Sequence, residues 1–339
     1  MKLSSSTALP AVLAPLSPLA LAALAAGGLT LSAAASTSGS ESAGVAESAV
    51  TTVTRSSSAA DYPQEFVPAD ANFVAHFDMD HFKRTQLWRM LEPREAELGF
   101  DDIEDELGFD VVRELRSVTL FGRGGEPDAV LLIASDAVDA ALDHMEDEGK
   151  LHRFREGGLN LFELDDATGF VAELRGGDRV LILGEGIEDV AYAARVVRGD
   201  EASQADARGT LTLQPNPGAF LSVGAEGVLP GLDDFEPASQ VLGLAQGFQF
   251  DLGEAGGSLF LHLSLDTGSV ETARDVHDTV QGLMALARIA VRSSEEVPQE
   301  LDELLYALSV SARGGAVTVD FEYPVQTLVE MLDSMDHDH

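Results

Sequence analysis

The sequence predicts an α+β protein of mostly antiparallel sheet with helices packed on one face, arranged as a tandem β-α-β-β-α-β-β-α duplication. Three observations lead there. Some segments alternate apolar and polar residues with period two, the mark of a strand with one buried and one wet face: Val317, Val319, Phe321 and Tyr323 against Thr318, Asp320 and Glu322. Others hold apolar residues at the i, i+3, i+4, i+7 spacing of a helix, as Val138, Ala141, Leu142 and Met145 do. The order of these segments also runs through twice. Pro68 with Phe73 is matched by Pro215 with Phe220, and Arg175-Gly176-Gly177 by Arg313-Gly314-Gly315, at offsets of 147 and 138 residues.

In chain order, the first pass opens with a strand at Phe73 to Phe77 and continues into a helix from His81 to Leu91. A hairpin follows, Ser117 to Gly122 and Ala129 to Ala134, around a Gly-Gly-Glu-Pro-Asp turn. Asp136 stands where an N-cap belongs, ahead of the Val138 to Met145 helix. The Arg175-Gly176-Gly177 turn leads to Val180 to Leu183, and Ile187, Val190, Ala191 and Ala194 mark a closing helix. Between them, Gly184-Glu185-Gly186 reads as a strand-to-helix turn, since a third glycine for dinucleotide binding is missing.

The second pass repeats this. A strand at Phe220 to Val223 precedes a helix from about Ala238 to Gln246. A hairpin, Phe248 to Leu252 and Ser258 to Leu265, surrounds Gly253 to Gly257. The long amphipathic helix from Ser269 to about Arg292 contains Gly282, which suggests a close approach there. Val317 to Phe321 and a helix on Val325, Leu328, Val329 and Leu332 close the half. The expected domains are residues 61–204 and 205–339.

The N-terminal end has a different composition. Lys2 is followed by an uncharged, Ala/Leu-rich run that closes on small residues at Ala33 and Ala35, the order of a secretory signal peptide. Residues 1–35 are therefore expected to be removed. The alternative is an uncleaved membrane anchor, against which Pro10, Pro15 and Pro18 and the lack of a following positive cluster both argue. Residues 36–60, about half Ser or Thr, read as a linker. The expected location is periplasmic or extracellular.

With 21 basic and 58 acidic residues the net charge is −37. Such a field repels a polyanion, so nucleic acid is not an expected partner. The chain has no cysteine, which excludes disulfides, thiol nucleophiles, lipoprotein acylation and cysteine-based metal sites. A 45% apolar content supports a real core, so the acidity coats a fold and suits a salty exterior.

No phosphate-binding loop, nucleophile elbow, HExxH helix or calcium loop is present, and no cofactor is expected. The densest constellation is His76-Phe77-Asp78-Met79-Asp80-His81. In a strand His76, Asp78 and Asp80 share a side, with His81 at the helix start, so imidazole and carboxylate could hold a divalent metal or serve as acid and base. The plainer reading puts His76 and Asp78 on a solvated face and makes Asp80 an N-cap. Asp336-His337-Asp338-His339 could scavenge nickel or zinc loosely and the acidic run Asp101, Asp102, Glu104, Asp105 and Glu106 could take calcium, but both read first as solvated surface, and Trp88 reads as core.

The opening Val67-Pro68-Ala69-Asp70-Ala71, set after a signal-like segment and a Ser-rich linker, resembles that of exported bacterial proteins of unknown function with duplicated α+β units. The resemblance implies no catalytic residues and favours a non-enzymatic role in the envelope or outside it. The function expected is thus an exported binding or scaffolding protein with an unidentified partner. The alternatives are a metal-assisted hydrolase built on the His76, Asp78 and Asp80 cluster, and a membrane-tethered interaction protein.

Overall fold

The computed structural model describes residues 51–52, 63–93, 109–123, 127–164, 167–206, 211, 213–227, 243–293 and 300–336. It divides into two compact units, residues 1–80 with 94–212, and 81–93 with 213–339. The chain is α+β, and among the described residues its strands pair antiparallel apart from one two-residue parallel pairing.

In the first unit the strands are β1 (Thr51–Thr52), β2 (Phe73–Asp78), β3 (Leu115–Gly122), β4 (Ala129–Ala134), β5 (Leu151–Glu156), β6 (Leu159–Leu164), β7 (Ala167–Glu173) and β8 (Arg179–Gly184). Their spatial order is β2-β3-β4-β8-β7-β6-β5. Thr51 and Thr52, from the stretch read as linker, pair in parallel with Ala172 and Glu173 of β7. The hairpin β5-β6, reversed at Gly157 and Gly158 with φ 56° and 82°, is an element beyond those expected from the sequence.

The helices here include α3 (Val111–Glu114), α4 (Ala137–Asp147) and α5 (Ile187–Arg198); α1 (Met79–Phe82) and α2 (Gln86–Leu91) precede them in the chain. Asp136 occupies the N-cap position of α4 without a side-chain bond; the Ser135 hydroxyl instead accepts from Ala137 N at 3.1 Å. Gly199, at φ 80°, ends α5 in the left-handed conformation that a Cβ would penalise.

Burial adds a detail to the layering. All six residues of β4 are buried, as are Val180 to Gly184 of β8. Val138, Leu142 and Met145 of α4 face an apolar cavity with Leu181 and Leu183, whereas Val190 of α5 lies against Gly184 on the alternate face. In this unit β8 therefore carries helices on both sides, which is why its sequence reads as a continuous apolar run.

The second unit contains β9 (Ala219–Glu226), β10 (Gly247–Ala255), β11 (Ser258–Asp266), α6 (Val270–Ser293), α7 (Glu300–Ala307), β12 (Leu308–Arg313), β13 (Ala316–Pro324) and α8 (Val325–Asp336). Its strand order is β9-β10-β11-β13-β12. Element by element this repeats β2-β3-β4-β8-β7, so the duplication extends to topology. Gly256 and Gly257, at φ 61° and 85°, make the β10-β11 reversal a two-residue turn, tighter than the five residues expected.

The segment 81–93 groups with this second unit. The helix expected over His81 to Leu91 is broken: α1 ends at Phe82, and Thr85 starts α2 by accepting from Trp88 N at 3.0 Å. Glu254 of β10 then accepts from the amides of Gln86 and Leu87, both at 2.9 Å, placing a carboxylate at the helix N-terminus. Phe82 meets Trp88 edge-on and Phe220 at 5.0 Å, so Trp88 is core as expected.

Ser269 caps α6 through Thr272 N at 3.0 Å. Gly282 is exposed with open space around its absent side chain, so the close approach expected there does not occur. Of the helix expected over Ala238 to Gln246, residues 238–242 lie outside the described residues and 243–246 form no helix. The acidic run at 101–106, the tail at 337–339 and the signal-like segment also lie outside them.

Candidate functional site

The candidate site begins on β2, where alternation places His76 and Asp78 on one face. The register sets His76 opposite Thr119 and Asp78 opposite Ser117 on β3. All four are buried, at 4%, 5%, 0% and 0% exposure for His76, Asp78, Ser117 and Thr119. This corrects the expectation of a solvated face. His76 Nδ1 and Thr119 Oγ1 share a hydrogen bond of 2.9 Å. Burial pushes the imidazole down from 6.5 to about 4, because a charged ring there would lose its hydration. His76 is accordingly neutral at physiological pH.

The other two members go elsewhere, and the cause is local. The helix begins at Met79, two residues earlier than expected, so the direction of successive side chains turns by about 100° instead of alternating. Asp80 falls inside that helix rather than capping it, and faces Arg116 at 3.6 Å. His81 lies in the last turn of α1 and belongs to the second unit. Among the described residues no group of three or more His, Asp or Glu side chains is placed to hold a metal ion.

The Val67-Pro68-Ala69-Asp70-Ala71 motif has a structural use. Phe66, Val67 and Ala71 are fully buried, and Ala69 N and Val67 O bond to Ala202 O and Gln204 N. Tyr192 of α5 donates to Asp70 at 3.0 Å. The Arg123 guanidinium lies 5.2 Å over the Tyr192 ring and ion-pairs with Asp128 and Asp189.

A second polar constellation appears in the second unit. Ser222, Asp251, His262, Asp320 and Ser309 stand directly opposite one another across β9, β10, β11, β13 and β12. Asp251 is fully buried and accepts from Ser222 Oγ at 2.5 Å, Asn216 Nδ2 at 2.8 Å and Gln249 Nε2 at 2.9 Å. His262 Nδ1 sits 2.7 Å from Asp320 farther along the row, where the side chains are more exposed. In this row each serine adjoins a carboxylate and His262 lies between two aspartates, so no serine neighbours the imidazole as proton relay would require. Alternation could assign these residues to one face. Only strand register could align them.

No protein-family model matches the chain, and no curated protein matches it. The fold bears a weak likeness to crystal structures of TP0453. Crystal form III is 11% identical with a TM-score of 0.43, covering 82% of this chain and 100% of that one. Crystal form IV is 12% identical with a TM-score of 0.41, covering 80% and 96%.

Proposed function

We propose that this chain is an exported, non-enzymatic binding or scaffolding protein of the bacterial envelope or exterior. One observation carries the non-enzymatic part: His76 and Asp78, the two members of the densest titratable cluster that stay together, are sealed into a sheet face, with the imidazole bonded to Thr119 and held neutral. A group so placed supports a core and has no route to a substrate. The signal-like N-terminus and the acidic coat support export.

Two measurements test the reading. Fractionation of expressing cells, followed by N-terminal sequencing, is expected to find the protein outside the cytoplasm and starting at Ser36; a cytoplasmic chain starting at Met1 overturns export. Calorimetric titration with zinc and manganese is expected to give no saturable heat. Saturable binding that is lost in His76→Gln restores the metal-assisted hydrolase built on His76, Asp78 and Asp80.

A further inference from the structure

The two units end their sheets differently. In the first, β7 is flanked on its far side by β6, and the hairpin finishes at β5, whose His152, Arg153, Arg155 and Glu156 put charge along the edge. Charged edges discourage strand addition. β12 is the topological counterpart of β7, and no hairpin stands beside it: among the described residues its strand partner is β13, and its other edge has none. Leu308, Ser309, Val310, Ser311 and Ala312 are uncharged in a chain of net charge −37, with Ser309, Ser311 and Ala312 exposed. Apolar surface lies on the helices packed against this strand. Leu286 and Ile289 of α6 are each 64% exposed and Tyr306 of α7 is 55% exposed.

We propose that β12 is the surface through which two copies of this chain associate, their edge strands pairing antiparallel about a two-fold axis. Antiparallel pairing of one strand with itself is self-complementary, because each copy presents the same donors and acceptors in reversed order. The fold already places an antiparallel neighbour at this topological position, since β6 pairs so with β7. Charge at the edge itself does not oppose a like chain. Reversal sets the Arg313 end of one strand beside the Leu308 end of the other, which α7 and its exposed Glu303 precede. The five uncharged residues keep the chain's repulsive charge away from the contact, and added salt screens the remainder.

Sedimentation velocity on the full chain over a hundredfold concentration range, at low and at molar sodium chloride, tests this. A monomer-to-dimer transition is expected, tighter at high salt. Ser309→Lys with Ser311→Lys should weaken it at least tenfold, whereas Glu322→Lys, which changes the net charge equally from an inner strand, should not. A wild-type chain that stays monomeric at molar salt overturns the proposal, and so does a dimer that survives both lysines. Should the lysine variant fail to fold, hydrogen exchange on the wild type decides: amides of β12 are expected to gain protection as concentration rises, and no gain overturns the pairing.

Discussion

The two units share a strand order and differ in how deeply they bury it. In the first, Leu131, Ile133, Val180, Ile182 and Phe170 are essentially inaccessible, because α4 and α5 lie on opposite faces of the sheet. In the second, β9 is buried along most of its length, whereas β11 and β13 are sealed mainly toward Leu265, where Ala273 and Val276 of α6 meet Leu265 and Val317. Leu259, Leu261, Leu263, Val319 and Phe321 remain half-buried. The two units share connectivity and differ in core depth. Hydrogen-bonded register defines the topology, and the helices laid over the strands set how much apolar area leaves water.

The largest test of this contrast is a pair of truncations. Ile182→Ala should cost about 4 kcal/mol, since it opens a cavity in a closed site, and Leu261→Ala about 1 to 2 kcal/mol, since its side chain is already partly wet. Chemical denaturation of each variant measures both; equal costs would break the contrast.

Next come two glycines of the second unit with opposite expectations. A Cβ at Gly253 would lie 2.2 Å from the Gly218 carbonyl oxygen, at the bulge where β10 shifts register against β9. Gly253→Ala should therefore destabilise by about 3 kcal/mol, because backbone cannot step aside. Gly282→Ala meets open space in mid-helix and should stabilise by up to about 1 kcal/mol. Melting temperatures that moved the same way would contradict these local readings.

His76 gives the first unit a pH signature. Its folded-state value, about 4, is below the unfolded 6.5, so the unfolded chain takes up the proton first as pH falls. This contribution to stability is complete above pH 6.5 and is lost as pH falls toward 4, amounting to at most about 3 kcal/mol. His76→Gln should flatten the profile in that window relative to the wild type. The same slope in both proteins would mean that another group carries it.

Much of the fold is legible in the sequence. The periodicities locate most helices, and the paired glycine turns locate the hairpins. Gly157-Gly158 between β5 and β6 is such a pair and signals that hairpin too, but Arg153, Arg155 and Glu156 leave β5 without a clear apolar alternation to support it. The site is less legible. Alternation correctly sets His76 and Asp78 on one face, but which face is buried depends on what packs above it. Asp80 and His81 leave the cluster because the helix starts at Met79, within the range where local sequence signals are indifferent.

By itself the sequence determined the class of fold, the twofold repetition of its elements, the acidic coat and the absence of cysteine chemistry, because these depend on composition and on contacts near in the chain. The tertiary structure alone decided that His76 is neutral, that Ser222, Asp251, His262, Asp320 and Ser309 form one row, and that among the described residues β12 has no strand on its outer edge. Each of these depends on which distant strand lies alongside and in what register, and side-chain periodicity is the same for every partner a strand could take.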